Sequence, residues 1–198
     1  MTNGRHSSKA EIAVYLGLGS NMGDRRANLR EAIARIEKLG IEVVRESSIY
    51  ETQPVGFRDQ PWFLNQVIEA KMLAGLESGS VFGDAEAIAT IQTGALLSEL
   101  LNIESEMGRE RTIANGPRVI DIDLLLFGEM IIAQPKEDAH SSSTNRADIV
   151  VPHPRMHLRR FVLEPLCEIA PELAHPVLKK TCREMLAEVK DPSVVGLY

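Results

Sequence analysis

Apolar residues occur along the chain in short blocks whose spacing alternates between that of strands and that of helices. The first block, Ile12 to Leu18, is a short, partly β-branched run that predicts a buried strand. Leucine and isoleucine then recur at helical spacing from Leu29 to Leu39, with Asp24 placed to cap the first turn and Gly40 to end the helix. The pattern therefore predicts a β-α unit at the start of the chain.

Further strands and helices follow this unit. We predict strands over Ile41 to Thr52, Leu64 to Met72 and Val119 to Phe127, and helices over Ala95 to Met107 and near Met156 to Ile169. The order β-α-β-β-α-β is that of a ferredoxin-like core, in which helices cover a largely antiparallel sheet. The predicted fold class is therefore α+β, with a three-layer α-β-α arrangement once the last helix is included.

The length and composition fit one globular domain. A chain of 198 residues with 44% hydrophobic residues can bury a core of its own. We expect residues 1–11 to be a disordered polar tail and residues 12–198 to form a single domain. Two stretches, 74–94 and 133–148, look like insertions, and we assign neither a function.

Charge and cysteine content exclude several classes of protein. The formal net charge of -6 opposes general nucleic-acid binding, which needs a basic surface. Cys167 and Cys182 lack the spacing of a metal site and are interpreted as free thiols. The first residues do not resemble a secretory signal, and no apolar run approaches the length of a membrane span. We expect a cytoplasmic protein that binds neither nucleic acid nor membranes.

Two acidic residues alternate with apolar residues in the sequence VIDIDLLLF. The strand period of two puts Asp121 and Asp123 on one face. The other face would carry Ile120, Ile122, Leu124 and Leu126. Carboxylates about 5 Å apart at an effective dielectric of about 20 repel by roughly 3 kcal/mol, which a divalent cation would reverse. Oxygen-only ligation favours magnesium; the alternative is a pair of surface acids at a strand end.

Cationic residues surround this acidic strand in the sequence. Arg109 and Arg111 follow the second helix, Arg118 precedes the strand, and His153 lies between two prolines shortly before Arg159. Guanidinium groups bind phosphate oxygens bidentately and remain charged at any relevant pH, so the set favours a polyphosphate ligand. Because arginines in loops are often only solvated charges, this hypothesis depends on the acidic pair.

The loop QPVGFRDQPWF ends in two aromatic residues, Trp62 and Phe63, which Asn65 follows. Aromatic rings can stack a planar heterocycle for roughly 1–3 kcal/mol per ring, and an asparagine amide matches the edge of a pterin or a guanine. A hydrophobic clasp that closes the sheet is the alternative.

The segment GLGSNMGD contains three glycines, Gly17, Gly19 and Gly23. Their spacing is one residue longer than that of the dinucleotide-binding fingerprint GxGxxG, so the segment does not match it. The glycines predict a tight turn from strand to helix instead.

Four blocks of the sequence together resemble one enzyme family. GLGSNMGDRRANL, ETQPVGFRDQPWFLN, GPRVIDIDLLLFG and VPHPRMHLRRFVLEPLCEIAP are similar to 6-hydroxymethyl-7,8-dihydropterin pyrophosphokinases, in the same order and over about residues 12–175. The resemblance implies an ATP-dependent diphosphotransferase of folate biosynthesis, which moves pyrophosphate from ATP to the hydroxymethyl group of the pterin and releases AMP. The implied partners are these two small-molecule substrates, and we expect a monomer.

The resemblance also implies roles for residues at matching positions. Two magnesium ions would bind Asp121 and Asp123, which with Arg109 and Arg118 would form the catalytic group. The ATP contacts would be Glu104, Arg109, Arg111, Arg118, His153 and Arg159. The pterin site would consist of Thr52, Pro54, Val55, Phe63, Asn65 and Phe161. The loops 53–62 and 109–118 would close over both substrates.

Three positions depart from the family pattern. Asn115 stands where an aromatic residue is expected before GPR, Pro154 where a tyrosine often follows the histidine, and Leu101 where a helix residue is usually polar. One alternative is therefore a homologue that binds pterin or nucleotide without turnover. Another is a nucleic-acid-binding module on the same fold, which the acidic charge opposes. The residues leave two candidates for the proton acceptor, Asp121 and water.

Overall fold

A computed structural model of the chain describes residues 11–73, 85–110, 115–134 and 149–198. The elements in these ranges are β1 (Glu11–Ser20), α1 (Arg25–Lys38), β2 (Glu42–Glu46), β3 (Tyr50–Thr52), β4 (Phe63–Leu73), α2 (Ala85–Glu106), β5 (Asp121–Phe127), β6 (Ile132–Gln134), β7 (Ile149–Val151), a 3₁₀ helix (Met156–Leu158), α3 (Arg160–Ile169), α4 (Cys182–Glu188) and β8 (Val195–Leu197). The predicted disordered tail lies outside the described residues, except that Glu11 begins β1.

The centre of the structure is an antiparallel sheet. Among the described residues it has six strands in the order β5-β1-β4-β3-β8, with β2 also paired to β4. The two central strands, β1 and β4, pair along the whole of β1, from Glu11 opposite Leu73 to Ser20 opposite Leu64. The predicted combination of helices with an antiparallel sheet is confirmed, and the strand order is compatible with a ferredoxin-like core.

The first helix begins and ends at the residues that the sequence indicates. The Asp24 carboxylate accepts a hydrogen bond from the Ala27 amide at 3.0 Å, which satisfies one of the free amides of the first turn. Gly40 has a φ of +80°, the left-handed conformation in which the chain leaves a helix. The apolar face of the helix buries Leu29, Ala32, Ile33 and Ile36.

Helices cover both faces of the sheet. On one face, α1 and α2 pack on the alternate β1 residues Val14, Leu16 and Leu18. On the other face, α3 and α4 pack around Tyr15 of β1 and Val67 of β4. Because side chains along a strand alternate between faces, a single strand contributes to two separate cores, and the molecule has three layers.

The predicted strand 41–52 is two strands, β2 and β3. The strand is interrupted near Ser47. The Ser47 hydroxyl accepts a hydrogen bond from the Val67 amide at 3.0 Å, and the Ser47 amide donates one to the Val67 carbonyl. A side chain thus takes a bond that a regular ladder would give to the backbone. Similarly, the predicted helix 156–169 is a 3₁₀ helix and α3, separated at Arg159.

The second helix starts ten residues earlier than predicted, at Ala85 rather than Ala95. The apolar pattern does not reveal the first turns of this helix, because Ile91 faces solvent with 71% of its surface exposed. Part of the predicted insertion 74–94 is therefore helix, and the remainder lies outside the described residues. Of the second predicted insertion, 133–148, the first two residues belong to β6, which pairs with β7, and the others lie outside the described residues.

A β-bulge interrupts the pairing of β5 with β1. Leu16 pairs with Leu124 but Tyr15 pairs with Leu126, so that Leu125 is an extra residue. The prediction that Leu126 shares a face with Leu124 is therefore wrong, and Leu126 packs in the α3 core instead. The bulge lies beyond the two aspartates and leaves their shared face intact.

The described chain continues past α3 through α4 to β8, which adds a strand beside β3 at the edge of the sheet. No helix in the described ranges is both long and apolar enough to cross a bilayer.

Replacement of a central core residue should be far more costly than replacement of an exposed helix residue. Leu16 is completely buried in β1, and we expect Leu16→Ala to lower the free energy of unfolding by about 2–5 kcal/mol through lost contacts and a residual cavity. Urea denaturation followed by circular dichroism measures this. Ile91→Ala is the matched control, with an expected change within about 0.5 kcal/mol; equal effects would contradict the described core.

Candidate active site

A cavity of about 540 Å³ opens between the sheet, α3 and the loops that follow β3 and α2. Its volume is in the usual range for small-molecule sites. Most of the residues predicted to bind substrates line it: Thr52, Val55, Phe63, Asn65, Arg109, Arg118, Asp121, Asp123, His153, Arg159 and Phe161. Pro54 and Glu104 do not line it, and Arg111 lies outside the described residues.

Strand β5 presents both aspartates to this cavity. Asp121 and Asp123 line the wall, whereas Ile122 between them is buried in the core, as the strand period predicts. Asp121 forms ion pairs with Arg109 at 2.5 Å and with Arg118 at 2.8 Å. Among the described residues, Asp123 forms an ion pair with Arg159, at the longer distance of 3.5 Å. The two carboxylates therefore differ in how well their charge is compensated.

The surroundings of Asp123 raise the pKa of its carboxyl group. Burial and the neighbouring charge of Asp121 raise the pKa of Asp123 to about 6, against the opposite effects of Arg159 and Arg118. Two adjacent carboxylates are a donor set that suits a hard divalent cation. In the described part of the chain, no group of three or more histidines, cysteines and acidic residues is placed to hold a metal. Water and substrate oxygens would have to complete any such ligation.

Glu104 supports this wall from behind. Its side chain, in the last turn of α2, is almost completely buried, and the residue is 3% exposed. Its carboxylate accepts a hydrogen bond from the Ile122 amide at 2.7 Å and forms an ion pair with Arg109. Glu104 thus connects α2 to the strand segment between the aspartates and orients Arg109. The structure places it behind the ATP-binding residues that the family resemblance implies, not among the lining residues.

A hydrogen-bonded clasp joins the three loops around the cavity mouth. The Asn21 carboxamide accepts from the Arg118 amide at 2.8 Å and donates to the Gln60 side chain at 3.0 Å. The side-chain amide of Gln60 in turn donates to the backbone carbonyl of Asn115 at 2.8 Å. Asn115 has a φ of +57° and lies beside Gly56. The asparagine that replaces an expected aromatic residue therefore takes part in contact between the two predicted mobile loops.

The predicted pterin residues form a compact polar and aromatic group. The Asn65 amide donates to the Thr52 hydroxyl at 2.5 Å, so the carboxamide is oriented before any ligand binds. Phe63 and Phe161 line the same cavity. The guanidinium of Arg118 lies 5.0 Å from the centroid of the Phe63 ring, and that of Arg159 lies 5.5 Å from the Phe161 centroid. These cation-π contacts join the aromatic residues to the anion-binding residues.

Two predictions for this region need correction. Gly17 and Gly19 lie within β1 and line the cavity, and only Gly23, with a φ of +62°, belongs to the predicted turn. A Cβ atom on Gly19 would lie 2.8 Å from the Asn65 carboxamide oxygen, which explains the need for glycine. Trp62 does not line the cavity: it is 40% exposed, and its carbonyl accepts a hydrogen bond from Arg25.

His153 is held as a neutral imidazole. Burial and the charges of Arg159 and Arg155 lower the pKa of His153 to about 4. Its Nδ1 atom accepts a hydrogen bond from the Arg155 amide at 3.2 Å, which assigns the proton of the neutral ring to Nε2. The histidine therefore offers one N–H donor to a ligand in the cavity.

Several residues at the site carry no recognisable signal in the amino-acid sequence. Asn21 and Gln60 lie in the quoted motifs, but only the structure shows that they bridge loops. Arg155 and Leu158 also line the cavity because the 3₁₀ helix brings them to its mouth. In sequence they look like an ordinary solvated charge and an exposed apolar residue.

An acidic pair, several arginines and a neutral histidine around one cavity are typical of enzymes that transfer phosphate-containing groups. Residues 15–171 match the family described as 7,8-dihydro-6-hydroxymethylpterin-pyrophosphokinase (HPPK). A 2-amino-4-hydroxy-6-hydroxymethyldihydropteridine pyrophosphokinase of Methylorubrum extorquens is 40% identical over 181 residues, which cover 90% of this chain and 94% of that protein. The chain belongs to the HPPK family.

Some relatives are much longer than this chain. The folic acid synthesis protein fol1 of Pneumocystis carinii is 34% identical over 182 residues, which are 92% of this chain but 21% of the fungal protein. A crystal structure of an HPPK-DHPS in complex with substrates superposes with a TM-score of 0.61 at 16% identity, covering 90% of this chain and 43% of that one. This structural similarity shows that the two chains share a fold.

The neutral state of His153 can be tested by its titration. We expect an NMR titration midpoint near pH 4 for the His153 imidazole, because burial and two nearby guanidinium groups disfavour its charge. The unfolded chain binds this proton near pH 6.5, so the stabilisation is complete above that pH and is lost as the pH falls towards about 4. A His153→Gln variant assigns the signal, and a midpoint near 6.5 would contradict the buried, neutral ring.

Proposed function

We propose that this chain transfers the pyrophosphoryl group of ATP to the hydroxymethyl group of 6-hydroxymethyl-7,8-dihydropterin, giving the pterin diphosphate and AMP in folate biosynthesis. The observation that carries this proposal is that one cavity brings the acidic pair and arginines together with the oriented Asn65 and the two phenylalanines. Membership of the HPPK family agrees with it. The acidic pair and the arginines suit the triphosphate of ATP, and Asn65 with the two phenylalanines suits the pterin.

The pterin would lie between Phe63 and Phe161. Asn65 uses one amide proton on Thr52, which leaves its second N–H and its carbonyl oxygen for the aminopyrimidinone edge. Thr52 is itself buried and ends β3, so the recognition group belongs to the rigid sheet. Val55 would cover the ligand from the loop, and the buried Pro54 would support that loop without lining the cavity.

The triphosphate would lie against the arginines and the acidic pair. We propose that Asp121 and Asp123 hold magnesium, two ions by resemblance to the family, and that magnesium when bound supplies charge neutralisation at the phosphate oxygens. Arg109 and Arg118 are fixed by their ion pairs with Asp121 and can contact phosphate without prior rearrangement of the strand. The Nε atom of Arg118 is buried with no hydrogen-bond partner among the described residues.

In the proposed reaction, the hydroxymethyl oxygen forms a bond to the β-phosphorus of ATP. The bond between this phosphorus and the oxygen that bridges to the α-phosphorus breaks, and AMP leaves with the electron pair. The hydroxyl proton passes to Asp121 or to water. His153 donates from Nε2, and Arg159 adds positive charge beside Asp123. The protein thus contributes mainly orientation and charge stabilisation.

The proposal extends to the arrangement of the core and to the ATP side of the site. Taken as one interrupted strand, β2 and β3 complete the order β-α-β-β-α-β, which supports a ferredoxin-like core. Glu104 and Arg111 are retained as ATP-side residues, the former acting through Arg109. Cytoplasmic location, a monomeric state and the absence of nucleic-acid or membrane binding stay predictions from the sequence.

The reaction can be tested directly by product analysis. Incubation of the protein with ATP, magnesium and 6-hydroxymethyl-7,8-dihydropterin should give AMP and pterin diphosphate in equal amounts, as resolved by chromatography. Formation of ADP would show ordinary phosphoryl transfer and contradict the proposal. Calorimetric binding of ATP or pterin without AMP formation would instead favour the alternative of a binding homologue and direct attention to Asn115.

Removal of either aspartate should abolish most of the turnover. We expect Asp121→Ala and Asp123→Ala each to lower kcat by at least about 100-fold, because charge stabilisation in the transition state is lost. Steady-state assays over a magnesium titration measure this. Glu129→Ala is the matched control, since Glu129 is exposed just beyond β5, and it should leave kcat unchanged. Near-normal rates for both aspartate variants at saturating magnesium would refute the metal assignment.

A further inference from the structure

The C-terminal segment 189–198 lies beyond the residues that match the family but contacts elements on two sides of the cavity. It leaves α4, passes the first turn of α3 at Asp191, and then forms β8 beside β3. Neither the family match nor the cavity lining includes any residue of this segment. Its contacts nevertheless involve backbone atoms next to proposed substrate-binding residues.

Asp191 supplies the cap that the first turn of α3 lacks. The residue at the N-cap position, Arg159, has an extended backbone and makes no side-chain capping bond. The first amides of a helix have no partner within the helix. The Asp191 Oδ2 atom accepts a hydrogen bond from the Arg160 amide at 2.9 Å. A carboxylate from a distant segment therefore satisfies this amide and also complements the positive end of the helix dipole.

The capped residue lies between two residues of the proposed site. Arg159 and Phe161 flank Arg160 and both line the cavity. The Arg159 guanidinium contacts Asp123 and lies over the Phe161 ring. The backbone bond to Asp191 thus fixes the short segment that carries one wall of the pterin site and one of its cations.

Asp191 is itself held in place by its own segment and by the sheet. Its Oδ1 atom accepts hydrogen bonds from the Ser193 amide at 2.9 Å and from the Ser193 hydroxyl at 2.6 Å. Immediately afterwards, the Val194 carbonyl accepts a bond from the Gln53 amide at 3.0 Å, and Val195 of β8 pairs with Thr52 of β3. Thr52 orients Asn65. The segment therefore connects the aromatic wall at Phe161 with the polar wall at Thr52.

We propose that Asp191 is a positioning residue for the pterin site. Its carboxylate holds the first turn of α3 and so fixes Phe161 and Arg159 relative to the oxygen and nitrogen atoms of Asn65 that would recognise the pterin. This inference rests on the proposed function for the identity of the ligand. It adds a residue that does not touch the substrate and that lies 30 positions after Phe161 in the chain.

The test is steady-state kinetics and calorimetry with Asp191→Ala and Asp191→Asn. Loss of the cap should raise the KM and the dissociation constant for 6-hydroxymethyl-7,8-dihydropterin by about tenfold in Asp191→Ala, with a smaller change in the KM for ATP. Asparagine keeps one of the two acceptor oxygens that Asp191 uses, so Asp191→Asn can still cap the Arg160 amide but then turns its NH2 group towards the Ser193 amide. We expect Asp191→Asn to lose about threefold in pterin affinity, less than the tenfold loss of Asp191→Ala.

Thr181→Ala is the matched control for stability. The Thr181 hydroxyl caps α4 by accepting from the Glu184 amide at 3.2 Å, and Thr181 does not line the cavity. This variant should lower the thermal midpoint as Asp191→Ala does but leave the KM for the pterin unchanged. All assays are run at a temperature at which circular dichroism shows each variant folded. Unchanged pterin affinity in Asp191→Ala, or equal losses in both variants, would overturn the proposal.

Direct binding separates this inference from the proposed function. Wild-type protein that binds the pterin without forming AMP would count against the proposed reaction, while a selective loss of binding in Asp191→Ala would still support the role of Asp191. Wild-type protein that binds no pterin in the presence of an ATP analogue and magnesium would overturn both.

Discussion

The register of β1 between β4 and β5 is the constraint on which the site depends. Gly19 lies opposite Asn65 of β4 on one side and opposite Asp121 of β5 on the other, and Gly17 lies opposite Asp123. The absence of a side chain at Gly19 makes room for the Asn65 carboxamide. Because a one-residue slip would exchange the faces of the strands, the hydrophobic residues of two cores fix this register. The same alternation that builds the cores therefore places the polar groups beside each other.

Ion pairs between the aspartates and the arginines organise the part of the site that would bind ATP. Asp121 pairs with two arginines, whereas the half-buried Asp123 pairs with one described arginine at a longer distance. Glu104 beneath Arg109 ties this charge network to α2 and to the backbone between the aspartates. The clasp of Asn21, Gln60 and Asn115 brings the covering loops to the same charges.

The aromatic part of the site illustrates a limit of sequence reasoning. Trp62 and Phe63 are adjacent, but β4 begins at Phe63, so Trp62 belongs to the preceding loop. The structure puts Phe63 in the cavity and leaves Trp62 outside it. The choice depends on where β4 starts, and element boundaries are not encoded by any single local signal. The early start of α2 has the same origin.

The sequence by itself determined the α+β class, the capped first helix, the shared face of Asp121 and Asp123, and the family, which the match over residues 15–171 confirms. These features follow from periodicity, from local capping and from motifs a few residues long. Only the tertiary structure decided that Glu104 acts from behind Arg109, that Gly17 and Gly19 form the cavity wall, and that Asp191 caps α3. Each of these contacts joins residues whose closeness depends on strand pairing or helix packing. Such closeness is a property of the assembled fold, because no local pattern in the chain records which distant backbone amide a carboxylate will reach.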